Sequence, residues 1–195
     1  KHPKEPAFEP LPPVVMDTLT SLALAVDAKD QFTQGHSQKV SGYAVWIAEA
    51  VGLEAAQIEE IRLGGMLHDV GKVGISESIL NKNGPLNPDE WEAMKRHVEF
   101  GSKLLEPLRG TDQVREMVAH HHEYFDGSGY PDGLAGTQIP LGARIIAIAD
   151  AYDTITSERT YKKARTPEEA FLELDRCGNA QFDPELVRVF VSLLR

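Results

Sequence analysis

Cysteine, cationic excess, long apolar runs and strand-like alternation are all scarce in this chain, and each scarcity closes a route. A single cysteine, Cys177, in 195 residues excludes an internal disulfide and a thiolate-based structural zinc site. It also points to a reducing, cytoplasmic setting. Lysine and arginine number 20 against 30 acids, for a formal net charge of -10. A general nucleic-acid binder needs clustered cations against the phosphate backbone, so that class is disfavoured. A small phosphorylated substrate stays compatible, because bound metals and a few basic residues reverse the field locally. No segment approaches the roughly 20 apolar residues that span a bilayer, and no signal-peptide pattern opens the sequence. The chain starts on Lys1 rather than Met, which reads as a segment of a longer protein. No run alternates well enough for a strand, Gly74-Ile75 being the one short extended candidate.

What is present reads as helix. Residues 1–13, KHPKEPAFEPLPP, are proline-rich and carry no period, so they read as a linker or arm, with a single domain over 14–195. Val40, Ala44, Ile47 and Val51 recur at helical spacing, as do Ile58, Ile61 and Gly65. Val114, Met117 and Val118 form another apolar face, and Ile145, Ile148, Tyr152 and Ile155 a further one. Trp91, Met94 and Val98 share a face after the start signal Asn87-Pro88-Asp89-Glu90, with its cap, N1 proline and acid. Thr166-Pro167-Glu168-Glu169 and Asp183-Pro184-Glu185 repeat that signal. The segment 126–142, DGSGYPDGLAGTQIPLG, is too rich in glycine and proline for a helix and is expected to be an ordered loop beside a site.

Six of the seven histidines fall in four short clusters: His36, His68, His97 and His120-His121-His122. Asp69, Glu123, Asp126 and Asp150 lie beside or among them. Imidazole with carboxylate suits zinc, manganese or iron. Adjacent helical residues point about 100° apart, so His68 and Asp69 can serve one ion only if the backbone bends there, and Gly71 offers a place for it. His121 extends the 114–117–118 stripe and points inward. Asp150 stands in an apolar helix, where a carboxylate must be paired, protonated or metal-bound. Arg144, Arg159 and Lys162 are either solvated helix-end charges or a phosphate clamp. Taken one at a time, most of these residues have an ordinary structural reading.

Together they resemble one family. HSQKV at 36–40, HDVGKVGI at 68–75, HVEFG at 97–101, HHEYFDGSGYP at 121–131 and IADAYDTITSERTYKKA at 148–164 are similar to the HD-GYP branch of the HD-domain phosphohydrolases. The resemblance runs over residues 14–195, and its most specific element is the long HHExxDGxGYP string. It implies an all-α fold, an HD-domain helical bundle with an ordered Gly-rich GYP loop. It implies hydrolysis of cyclic di-GMP to pGpG or GMP in bacterial second-messenger signalling. It also implies two divalent ions, iron or manganese with zinc compatible, and metal ligands at His36, His68, Asp69, His97, His121, His122 and Asp150. Asp69 would bridge; His97, His121 and His122 would complete one shell, and His68, Asp150 and His36 the other. Lys72 would lie near the attacked phosphate, Arg159 and Lys162 on the substrate phosphates with Arg144 as a further cation, and Tyr130 against substrate or a partner. An upstream sensor or receiver domain and a diguanylate cyclase-type partner on the GYP loop are further implications.

The chain departs from the pattern at Phe32. Some members carry a glutamate four residues before the first ligand histidine, which helps hold a third ion; phenylalanine cannot, so two ions are expected. His120 falls outside the ligand register, Asp126 is expected to brace the loop, and Glu123 to orient a ligand histidine. Three other readings stay open: another cyclic dinucleotide such as cyclic GMP-AMP, a docking module with little catalysis, and a simpler HD-type nucleotide phosphohydrolase.

Overall fold

The computed structural model describes residues 11–30, 35–158 and 164–195. These form α1 (Pro13–Lys29), α2 (His36–Ala50), α3 (Ala55–Leu67), a 3-10 turn (Val70–Gly74), α4 (Glu77–Leu80), α5 (Pro88–Lys95), α6 (His97–Leu105), α7 (Asp112–His120), a second 3-10 turn (Gly136–Gln138), α8 (Leu141–Thr156), α9 (Pro167–Arg176) and α10 (Pro184–Leu193). The fold is all-α, with only two isolated bridges, Asp126 to Ala135 and Gly178 to Phe182, among the described residues. The extended candidate at Gly74-Ile75 is half right: Gly74 closes the 3-10 turn and only Ile75 is extended. No described helix is long and apolar enough to cross a membrane.

Local chemistry sets the helix starts. Asn87 accepts from the Glu90 amide while Glu90 reaches back to the Asn87 amide. Thr166 and Glu169 repeat that reciprocal cap, and Asp183 accepts from the Glu185 amide. Each cap satisfies donors the helix cannot, and an alanine there would cost about 1 kcal/mol. The expected face Trp91, Met94, Val98 is broken by structure: α5 stops at Lys95, and a new helix opens at His97.

Two apolar clusters flank a seam. One packs Val40, Ala44 and Ile47 of α2 against Ile145, Ile148 and Tyr152 of α8, with Phe171 and Phe190 from α9 and α10. The other gathers Leu19 and Ala23 of α1, Leu63 and Leu67 of α3, Leu105 of α6 and Val118 of α7. Fully burying the Val, Leu, Ile and Phe side chains among them contributes about 1.5–3 kcal/mol each. Helices α3 and α7 belong to both clusters, through Ile61 and Met117 on one side and Leu63 and Val114 on the other. The seam between the clusters is where the histidines gather.

Candidate metal centre

His68 and Asp69 occupy the bend that ends α3. His68 keeps helical angles, whereas Asp69 leaves them (φ -98°, ψ 4°) and the chain tightens into the 3-10 turn. The bend needed to aim both side chains at one place is therefore at Asp69. Gly71 has a different task. A side chain there would overlap the backbone of His97 and Gly101, so its lack of Cβ lets α6 lie against the turn.

The Asp69 carboxylate faces two ways. Oδ1 stands 3.5 Å from His97 Nε2 and Oδ2 3.4 Å from His68 Nε2. Around it lie two ligand groups that share this one residue. One contains Asp69, His97, His121 and His122, the other His36, His68 and Asp69, with the ligand atoms in each group within 4.8 Å of one another. Asp150 adjoins the second group, its Oδ1 3.2 Å from His36 Nε2.

Four of the five rings are held by their other nitrogen. His68 Nδ1 donates to Gly65 O at 2.8 Å, His97 Nδ1 to Met94 O at 2.8 Å and His121 Nδ1 to Val118 O at 2.9 Å. These carbonyls lie three residues back, in the last turns of α3, α5 and α7, where the helix leaves them unused. His36 Nδ1 donates instead to Asp153 Oδ2 at 2.7 Å. A carbonyl can only accept, so in His68, His97 and His121 Nδ1 carries the hydrogen and Nε2 presents its lone pair. The Nε2 atoms of His68, His97 and His121 are buried and have no hydrogen-bond partner among the described residues. Unpaired buried nitrogens are costly; three of them converging beside a carboxylate fit a divalent ion with mixed nitrogen and oxygen ligation.

Electrostatics divides the groups. Burial acts against charge on His36, but hydrogen bonds to Asp150 and Asp153 outweigh it and push the ring up to about 10. Asp69 and Asp150 are held well below the usual carboxylate range despite burial, Asp69 chiefly by Lys72 and His68, Asp150 chiefly by His36. Burial and the neighbouring rings push His121 well down, and burial with His97 lowers His122 to about 3.

Comparison with known proteins shows the family. A family model described as the HD domain matches residues 21–186. The chain belongs to the HD-domain family. Its HHEYFDGSGYP string places it on the HD-GYP branch. It is 42% identical over 173 residues to the cyclic di-GMP phosphodiesterase response regulator RpfG of Xanthomonas campestris pv. campestris, covering 88% of this chain and 46% of that protein. It is 40% identical over 174 residues to the 3'3'-cGAMP-specific phosphodiesterase 2 of Vibrio cholerae, covering 88% and 33%. The chain thus spans a third to a half of these relatives' length. Among solved structures, the cyclic GMP-AMP specific phosphodiesterase V-cGAP3 of V. cholerae superposes with a TM-score of 0.74 at 22% identity, over 91% of this chain and 48% of that one.

The other expected residues of this HD-domain site fall out unevenly. Lys72 is mostly buried, its Nζ 2.7 Å from Asp69 Oδ2 and 3.0 Å from Asp30 Oδ2, and both acids hold its pKa up. Tyr130 stacks on His122, ring centroids 5.0 Å apart, with Lys95 Nζ 5.6 Å from its own centroid. Arg144 is not brought to the site: its guanidinium pairs with Asp183 at 2.6 Å and with Ile139 O, fastening α8 to the start of α10. Helix α8 ends at Thr156, before the expected clamp, and Arg159, Lys162 and Phe32 lie outside the described residues. Glu123 does not orient a ligand histidine. It accepts the amides of Asp132 (2.7 Å) and Leu134 (3.1 Å) and so fixes the GYP loop. Asp126 braces that loop as expected, accepting from the Ser128 amide and hydroxyl.

A cavity of about 340 Å³ opens onto His121, His122 and Asp150, bounded by Trp91, Tyr130 and Arg165. That is within the usual size of ligand pockets. Asp153, Asp30 and Arg165 take no site role from the sequence, and Trp91 reads there only as part of an apolar helix face. Asp153 carried a signal: a second acid, three residues past Asp150, in the same apolar helix.

Proposed function

We propose that this domain hydrolyses a phosphodiester bond of a cyclic dinucleotide, with cyclic di-GMP as the first candidate and pGpG or GMP as product. The observation that carries the reading is the shared Asp69, its two oxygens facing two histidine groups, beside a cavity that reaches them. Asp69, His97, His121 and His122 would hold one divalent ion, and Asp69, His36, His68 and Asp150 another, iron or manganese with zinc compatible. Bound there, such ions would supply an activated water and neutralise charge on the phosphate. The chain's own groups do the rest. Lys72 adds a fixed positive charge beside Asp69 on an otherwise acidic molecule. Tyr130 and Trp91 offer aromatic surface at the mouth, and Arg165 a cation on the same wall. Arg159 and Lys162 remain candidates for the substrate phosphates.

A second reading is supported by the relative named as 3'3'-cGAMP-specific: the same bond cleaved in a mixed guanine–adenine ring. In the full-length protein the domain would work in the cytoplasm under an upstream sensor or receiver, with a diguanylate cyclase-type partner on the GYP loop. Metal-loaded protein incubated separately with cyclic di-GMP, 3'3'-cyclic GMP-AMP and cyclic di-AMP, products resolved by chromatography, tests the activity. Turnover of cyclic di-GMP fastest supports the first reading, and of cyclic GMP-AMP the second. No turnover of any, with both ions bound, overturns both.

A further inference from the structure

The HHH triplet contains a histidine that neither ligand group uses. His120, last residue of α7, is buried. Its Nε2 stands 3.4 Å from Glu116 Oε2, while Nδ1 faces Glu123 Oε1 at 3.7 Å and Asp132 Oδ2 at 3.8 Å. Nδ1 is buried and has no hydrogen-bond partner among the described residues. Nδ1 is thus enclosed with two carboxylate oxygens that stand beyond hydrogen-bond distance of it. One imidazole nitrogen and two carboxylate oxygens gathered this closely, with no hydrogen bond among them, are the atoms a cation would draw together.

We propose that His120, Glu123 and Asp132 bind a further divalent transition-metal ion of the zinc class, separate from the Asp69 centre. The ligand atoms lie within 4.8 Å of one another, a spacing that one ion with bonds of about 2.0–2.2 Å to nitrogen and oxygen can draw together. One imidazole with two carboxylates suits zinc better than calcium or magnesium, which prefer all-oxygen shells. Glu116 behind the ring completes the carboxylate–histidine–metal arrangement of natural zinc sites. Asp132 is exposed, so the ion has a path from solvent. Glu123 and Asp132 both belong to the loop that presents Tyr130, and Glu123 already holds the Asp132 and Leu134 amides. The ion would therefore pin the GYP loop to the end of α7, whatever substrate the site takes.

The test compares wild type, His120→Ala and Asp132→Asn, each with its central ions in place. The proteins are exposed to Zn²⁺, dialysed and assayed for bound metal, and zinc-grown crystals are measured on both sides of the zinc absorption edge. Wild type should retain one more zinc than either variant, with an anomalous peak between His120 Nδ1 and the two carboxylates. Amide exchange over 126–135 should slow with Zn²⁺ in wild type alone, and Ca²⁺ should not reproduce it. Asp132→Asn changes an exposed side chain by one atom, so it decides the matter even if His120→Ala misfolds. Equal zinc in wild type and Asp132→Asn with no peak would overturn the proposal. Equal protection by Ca²⁺ would overturn the zinc assignment.

Discussion

The two halves of the Asp69 centre solve the burial of charge in opposite ways. The His36 half is internally neutralised: an imidazole raised to about 10 lies between Asp150 and Asp153, whose carboxyls are pulled down in return. The His97–His121–His122 half packs three rings around a single carboxylate and keeps those rings low, with His122 at about 3. A cation entering the first half must displace a proton; in the second it meets bare nitrogens. Similar ligands on one seam therefore differ in what they need before an ion binds.

Removing what the halves share should have the largest effect. Asp69→Ala takes a ligand from both groups, so both ions should be lost and turnover should fall below detection; metal analysis of the purified variant checks this. Retention of one full equivalent would show that the carboxylate serves one side only.

Acidity should separate the halves next. In chelator-treated protein, His122 has a folded pKa of about 3 against an ordinary 6.5. Between those values the unfolded chain binds the extra proton, so stability rises with pH. His36 has a folded pKa of about 10. Its contribution is complete below 6.5 and is lost as pH rises towards 10, because the folded chain there holds the extra proton. Thermal stability without metal should peak near pH 6.5 and decline on both sides. His36→Gln should flatten the alkaline limb and leave the acid limb. An alkaline limb that persists in the variant would assign the decline to other groups.

Asp153→Asn sharpens the contrast more gently. It weakens the anchor on His36 Nδ1, so affinity for the ion on that side should fall roughly 10–100-fold, while the other side is unchanged. Competition with a graded chelator reads both. The smallest effect belongs to the pocket wall. Tyr130→Ala removes the aromatic face offered to a substrate base, a stack worth roughly 0.5–1.5 kcal/mol, so KM should rise about twofold to twelvefold with metal content intact. An unchanged KM would move Tyr130 from the substrate side to a docking role.

What could be read beforehand was what is local or carried by a long motif. The caps at Asn87, Thr166 and Asp183 are written within four residues of sequence, and they formed. The motif-borne histidines and Asp69 do assemble on one seam. The rest depended on partners far along the chain. Arg144 looked available until Asp183, 39 residues away, took it. Lys72 meets Asp30 across 42 residues. The break at Arg96 was hidden because an apolar stripe continues through it, and only the packing of α6 against Gly71 shows why the chain re-aims there. Glu123 stands beside the ligand histidines in sequence, yet its partners are loop amides, which no side-chain pattern reveals.

The carbonyls that fix His68, His97 and His121 have one more consequence. They come from the ends of α3, α5 and α7, and a helix carries about half a negative charge at its C-terminus. The ends of α3 and α7 place their negative poles behind His68 and His121, whereas at His97 the end of α5 meets the start of α6. The backbone thus supplies a negative potential that no titration can remove and no single side-chain substitution can delete. That potential adds to the single carboxylate in drawing a dication towards neutral rings in both halves of the site.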